Sequence, residues 1–298
     1  MIVKSYAKVN LYLQVLSKRK DNYHNLITVF ERINLTDKIS LKSRPDDLIT
    51  LKCDSPAVPK DKTNLCFRAA MLLKDSCRVK KGVDIEINKR IPVGAGLGGG
   101  SGNAAATLLG LNKLWGLNLN LSRLVSLAKK IGCDVPFFIY DAPFALGTSR
   151  GDKIKPLGKL KKIKLWHVLV FPKVKVSTPL IYGKFDIISG LTRPNYDVKI
   201  LTSTLVKYPS ILNSGGLFNS LEAVTEREYP EVSLIKISFQ KLGQTAILMS
   251  GSGPTVFSLA KSRKEALLLK KSIEEKHKRN ELSNLSEFIE YEEIDENT

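Results

Sequence analysis

Residues 92–106 read PVGAGLGGGSGNAAA, and this stretch decides the reading of the chain. Six of the nine positions after Val93 are glycine: Gly94, Gly96, Gly98, Gly99, Gly100 and Gly102. A helix-forming run, Ala104 to Trp115, follows at once. Glycine lets successive backbone N–H groups turn towards one point. A helix start adds unpaired N–H groups and a partial positive charge. Together they make an anion site, most often for phosphate. A flexible linker would carry a spread of serine and proline, whereas these glycines stand between a strand pattern and a helix pattern.

Two familiar phosphate loops fit poorly. The P-loop ends in Gly-Lys-Ser/Thr, but Gly100 is followed by Ser101 and Gly102. The dinucleotide pattern G-x-G-x-x-G is met by Gly94, Gly96 and Gly99, yet it needs an acidic residue about 20 positions on. No Asp or Glu occurs between Glu86 and Asp134. The preceding strand also differs. Val83, Ile85 and Ile87 alternate with Asp84, Glu86 and Asn88, whereas a first dinucleotide-fold strand is apolar on both faces.

The 298 residues, 43% of them hydrophobic, suffice for one large domain or two medium ones. Net charge is +18, from 47 Lys+Arg against 29 Asp+Glu. The last twelve residues, 287–298, hold six acids and no base, so the body is more basic still. Such a surplus suits anionic partners, although a solvated lysine-rich surface accounts for most of it. The basic runs 18–20, 159–164 and 276–279 are scattered and not interleaved with aromatics as a single-strand platform requires. Cys53, Cys66, Cys77 and Cys133 form no C-x-x-C pair, and the histidines are His24, His167 and His277 alone. Neither a zinc site nor a disulfide framework is expected, and reduced thiols of a cytoplasmic protein fit. No apolar run reaches the ~18 residues of a membrane span, and no targeting segment is read at the start.

From Tyr6, Ala7, Val9, Leu11, Leu13 and Val15 alternate with Lys8, Asn10, Tyr12 and Gln14, predicting a half-exposed strand. Lys8 and Asn10 then point the same way, roughly 7 Å apart. Further strands are expected around 27–35, 39–41 and 83–87. A helix begins at Asn64 and runs to about Leu73. After the loop helix, Gly116 breaks the chain, and Asn120 caps a helix that ends at Gly132. The Gly/Lys/Pro-rich stretch 147–164 marks the domain boundary, placed so that 1–158 and 159–298 are the two domains. Beyond it, 166–171 reads as a strand, 178–185 as a helix start, and 195–206, 217–224 and 230–242 as helices. Two strands, 246–249 and 256–259, flank Gly251-Ser-Gly-Pro254. A charged amphipathic helix spans 265–278, and an acidic tail with a short edge strand at 288–291 closes the chain.

The glycine loop closely resembles the P-x-x-x-G-L-G-S-S-A loop of the GHMP small-molecule kinases. AKVNLYL (Ala7–Leu13), NYHNL (Asn22–Leu26), GCDVPFF (Gly132–Phe138) and STPLIY (Ser177–Tyr182) resemble the 4-diphosphocytidyl-2-C-methyl-D-erythritol kinase family within that group. SGSGPTVF (Ser250–Phe257) matches the third GHMP motif, and the likeness runs from about residue 5 to 260. It implies an α+β fold: an N-terminal ATP-binding domain like domain 2 of ribosomal protein S5, then a ferredoxin-like substrate-side domain, with the site between. It also implies ATP and Mg²⁺, phosphorylation of the 2-hydroxyl of a cytidine diphosphate alcohol in the non-mevalonate isoprenoid route, and a monomer or weak homodimer.

The resemblance further implies roles. Asp134 matches the general base and Lys8 the group that orients the hydroxyl and stabilises charge; a local turn-capping Asp is the plainer alternative for Asp134. Asn10, Tyr23, His24, Thr178, Pro179, Tyr182, Gly251 and Ser252 match the cytidine substrate side, although Gly251–Gly253 also reads as a mere tight hairpin. Asn64, Leu65, Pro92, Gly94, Gly96, Leu97, Gly98, Gly99, Gly100, Ser101, Gly102 and Asn103 match the ATP side. Three departures stand out. Gly102 replaces a family serine, which predicts the loss of one hydroxyl near phosphate or Mg²⁺. Asn22 replaces a glycine, which a left-handed turn tolerates. Asn219-Ser220-Leu221-Glu222 replaces an Asn-Asp pair before Glu. Rival readings are another GHMP kinase acting on a small alcohol such as homoserine or mevalonate, and an S5-like nucleic-acid-binding protein.

Overall fold

The apolar alternation from Ala7 builds β1 (Ile2–Lys18), which folds back antiparallel on β2 (His24–Arg44). The turn between them closes through Arg19 N–H donating to Tyr23 O at 2.7 Å, with Asn22 in the left-handed region at φ 64°. This computed structural model describes residues 1–188, 198–207, 216–278 and 286–288. β2 carries β4 (Gly82–Asn88) along residues 38–44 and β5 (Phe144–Thr148) along residues 28–31. β3 (Ile49–Cys53) lies parallel to β4, and β6 (Lys153–Pro156) forms a hairpin with β5. The two-residue β8 (Phe218–Asn219) adds in parallel to the open edge of β1, so the main path is β3-β4-β2-β1-β8.

One face of this sheet carries α1 (Leu65–Cys77), α2 (Gly99–Leu114), α3 (Leu121–Ile131) and α4 (Val135–Ile139). Leu41, Ile85 and Ile87 from the strands pack there with Leu73, Leu108, Leu127 and Phe137 from the helices. Each such burial stabilises by about 1.5–3 kcal/mol before entropy. α1 starts at Asn64, whose side chain accepts from Cys66 N–H, and α3 starts at Asn120, which accepts from Arg123 N–H.

The second sheet is antiparallel, in the order β11 (Ser286–Phe288), β7 (Trp166–Pro172), β10 (Val256–Ala260), β9 (Ile247–Met249). With it go α5 (Thr178–Ile188), α6 (Val198–Leu205), α7 (Glu222–Glu228), α8 (Pro230–Gln240) and α9 (Arg263–Lys278). Val170, Val256, Ile235, Phe239 and Ile273 form their core. A third cluster, with Val9, Leu11 and Val29 against Leu169 and Phe257, joins the two sheets. Glu31 of β2 and His167 of β7 face each other at 3.0 Å across that seam, both buried. The fold is α+β, and among the described residues no helix is long and apolar enough to cross a membrane.

Several local expectations need correction. β1 is not half-exposed: Lys8, Asn10 and Tyr12 are 4%, 2% and 1% exposed. Both faces of the strand are covered, and register shifts, one between Asn10 and Tyr12, turn Tyr12 into the Val9 and Leu11 cluster. The segments around 27–35 and 39–41 are one continuous strand. Residues 217–224 are not one helix, because Asn219 spends its side chain on Leu221 N–H and on Met249 and Gly251 carbonyls, which pins β8 and delays α7 to Glu222. Residues 147–156 of the expected boundary belong to the β5–β6 hairpin. The expected helix residues 195–197, edge-strand residues 289–291 and nearly all of the acidic tail lie outside the described residues.

Candidate active site

The glycine run is shorter as a loop and longer as a helix than its composition predicts. α2 starts at Gly99, so Gly99, Gly100 and Gly102 are helical and the loop proper is Pro92–Gly98. Helix N–H groups therefore begin in the middle of the run, aimed at the space the loop encloses. That space is a cavity of about 370 Å³ lined by Asn64, Leu65, Lys89, Pro92–Ser101 and Asn103. Gly96 sits at φ +75°, and a Cβ on it would lie 2.3 Å from Ser250 O. Only glycine combines that backbone with so close an approach. The loop is thus seated on the 250–253 turn between β9 and β10, fastened by Ser250 Oγ donating to Gly96 O at 3.1 Å.

Gly102 does not line this cavity. A side chain there would meet Tyr6 O at 2.5 Å and Ser5 Oγ at 3.0 Å, on the strand side of α2. The expectation that Gly102 removes a hydroxyl near phosphate is corrected: the position faces β1. Asn103, also buried, donates to Ser5 Oγ at 2.9 Å and to Asp37 Oδ2 at 2.7 Å. Asp37, fully buried, also takes Lys89 Nζ at 2.5 Å and the Arg90 and Ile91 N–H groups at 2.7 and 2.8 Å. It therefore holds the entry to the loop. Sequence reasoning missed it, because a lone Asp inside a strand pattern carries no motif. Asn64 reaches the cavity edge while its side chain caps α1 and donates to Pro59 O at 2.7 Å.

A second cavity, of about 510 Å³, shares Gly96, Gly98 and Ser101 with the first. Its floor is Lys8. A Cβ on Gly98 would lie 2.9 Å from Lys8 Cγ, so the loop roofs the lysine stem. Lys8 Nζ donates to Asn10 Oδ1 at 2.6 Å and lies 3.6 Å from Asp134 Oδ2. Asn10 Nδ2 donates to Thr28 Oγ1 at 2.7 Å, and Thr28 donates to Tyr12 O at 2.7 Å. This chain leaves Asn10 one orientation. Asp134 precedes α4 without capping it, and its side chain is 34% exposed to the cleft. Cys133 beside it lines the same cavity, and burial pushes its thiol up to about 11.

The far wall is aromatic. His24 and Tyr182 have ring centroids 5.2 Å apart. Burial raises the Tyr182 phenol well above its ordinary range, so it stays protonated. Tyr23 is 51% exposed, with the Arg150 guanidinium 5.1 Å over its ring. Thr178 and Ser252 hydroxyls bond at 2.7 Å, which ties α5 to the Gly251 turn, and Pro179 lines the same wall. A Cβ on Gly251 would lie 3.4 Å from Lys8 Nζ. Arg150 and Thr28 line this cavity and Asp186 bonds His24 in its wall, and no motif reading named these three; Asn219, part of a motif departure, donates to Gly251 O behind the wall. Spacing alone signalled Asp186, four residues after Tyr182 on one helix. Glu222 is committed to structure, accepting from Met249 N–H at 2.8 Å and pairing with Lys236 at 2.8 Å.

Comparison with known proteins gives concordant likenesses. Residues 64–142 match the GHMP kinases N terminal domain and residues 210–279 the GHMP kinases C terminal domain. The chain is 44% identical over 259 residues to the 4-diphosphocytidyl-2-C-methyl-D-erythritol kinase of Geobacillus sp. (strain WCH70), covering 87% of this chain and 88% of that one. It is 43% identical to the kinase of the same name from Bacillus cereus (strain B4264), with the same coverage. A crystal structure of 4-(cytidine 5'-diphospho)-2C-methyl-D-erythritol kinase superposes with a TM-score of 0.77 at 32% identity, covering 92% of this chain and 96% of that one. A homoserine kinase from Cytophaga hutchinsonii shares the fold at 17% identity, with a TM-score of 0.69 over 95% of this chain and 92% of that one.

Proposed function

Because the chain belongs to the 4-diphosphocytidyl-2-C-methyl-D-erythritol kinase family of GHMP kinases, we propose that it transfers the γ-phosphoryl group of ATP to the 2-hydroxyl of 4-diphosphocytidyl-2-C-methyl-D-erythritol, a step in isoprenoid precursor synthesis. The observation that supports this best is the meeting of the two cavities at Gly96, Gly98 and Ser101, directly above Lys8. A donor phosphate on the α2 N-terminus and an acceptor hydroxyl beside Lys8 then face each other with no element between.

Asp134 accepts the hydroxyl proton during in-line transfer. Lys8 pairs with Asp134 and orients the alcohol, and as phosphoryl charge develops it spreads that charge from a position that needs no reorganisation. Asn10 fixes the alcohol on the same strand face. Tyr23 and Tyr182 bracket the pyrimidine, with His24 on its edge. Leu65 and Asn64 border the adenine end of the donor cavity. Ser101, which lines both cavities, is the residue whose hydroxyl would help hold Mg²⁺ arriving with ATP, and the ion would supply charge neutralisation at the phosphates.

An ADP-release assay with the cytidine substrate, mevalonate and homoserine tests the reading. Turnover is expected with the cytidine compound only. Absence of ADP from it, or comparable turnover of a small alcohol, would overturn the assignment.

A further inference from the structure

Asp186 lies outside every recognised motif, yet α5 brings it against His24, which lines the cleft. Thr178, Tyr182 and Asp186 stand four residues apart and share a helix face. Thr178 bonds Ser252, the Tyr182 ring lies against His24, and Asp186 Oδ1 lies 2.6 Å from His24 Nε2. The other carboxylate oxygen accepts from Lys18 Nζ at 2.6 Å. The His24 side chain is 4% exposed, so its ring has little freedom to turn. Burial raises the proton affinity of Asp186, but the bonds from Lys18 and His24 outweigh it and hold the carboxyl below its ordinary range. An ionised carboxylate only accepts hydrogen bonds, so Nε2 carries the proton.

We propose that Asp186 is a positioning residue that locks His24 in the neutral Nε2–H tautomer, leaving Nδ1 as a fixed acceptor for the exocyclic amine of an aminopyrimidine nucleotide. A pyrimidine with a carbonyl in place of that amine sets two acceptors face to face. A site built for a hydrogen bond rejects a ligand that leaves it unmade. The ligand half of this inference rests on the cytidine reading of the cleft, whereas the tautomer is a property of the chain alone.

The test pairs spectroscopy with kinetics. The ¹⁵N resonances of His24, assigned against His24→Gln, are recorded in histidine-labelled wild type and Asp186→Asn at pH 7.5. ADP release is measured with the cytidine substrate and its uridine counterpart. Wild-type His24 is expected as the Nε2–H tautomer. In Asp186→Asn the amide turns its N–H₂ to Nε2 and moves the proton to Nδ1. The KM for the cytidine substrate then rises about tenfold, kcat changes less, and the preference over uridine shrinks. Lys18→Met, which leaves the His24 bond in place, keeps the wild-type tautomer. An Nδ1–H tautomer or an imidazolium in the wild type overturns the proposal, whether or not any variant folds. So does an altered tautomer in Asp186→Asn with unchanged KM and base preference. A wild type with the expected tautomer but no turnover of the cytidine substrate overturns the ligand assignment and leaves the lock standing.

Discussion

The Lys8 ammonium stands 3.6 Å from the Asp134 carboxylate, and the lysine is buried along its whole length while the carboxylate opens to the cleft. A fixed cation beneath a reachable base is the arrangement that proton abstraction from an alcohol calls for. Asp134→Ala is expected to lower kcat by about 10²–10⁴-fold with little change in the KM for ATP. Steady-state kinetics checks this, and unchanged far-UV circular dichroism shows that the fold survives. A near-normal kcat would remove Asp134 from the chemistry.

Asp37 gathers four donors at the loop entry: Lys89 Nζ, Asn103 Nδ2 and the N–H groups of Arg90 and Ile91. Asp37→Ala leaves Lys89 as an uncompensated buried cation. A loss of about 3–5 kcal/mol is expected, read by urea unfolding, together with a higher KM for ATP as the Pro92 end loosens.

Gly102→Ser restores the serine common in the family but places its Cβ against Tyr6 O. Overpacking there costs about 1–3 kcal/mol. Thermal unfolding should fall and the KM for ATP should not improve. A tighter KM would return this position to the phosphate site.

Cys133 lines the cleft, yet burial outweighs the opposing pull of Arg150 and, with the nearby Asp134 carboxylate, keeps its thiol protonated up to a pH of about 11. The thiolate is the reactive species. Iodoacetamide at pH 7.5 should label Cys133 slowly, with the rate climbing as the pH passes 10, as followed by peptide mass spectrometry. Rapid labelling at pH 7.5 would contradict the burial.

The alternating strands, the capped helices at Asn64 and Asn120 and the glycine loop were legible because periodicity and capping are local properties. What the sequence hid depends on contacts across the fold. The burial of Lys8 requires the loop to fold over β1. The strand at Phe218 exists because Leu13 pairs with Asn219 from far along the chain. The role of Gly102 turns on a backbone oxygen of Tyr6, ninety-six positions earlier. The Asp186–His24 bond joins residues 162 positions apart, and only the spacing of four from Tyr182 hinted at it.

The brief strand at Phe218–Asn219 has a consequence for how the chain can be divided. It supplies the outer neighbour of β1, although it comes from the far side of the second sheet's first strand. A fragment ending at residue 158 would leave that length of β1 as a bare edge, an invitation to pair with other chains. The halves are therefore sewn together by backbone hydrogen bonds as well as packed side by side, and the first half expressed alone should be prone to self-association.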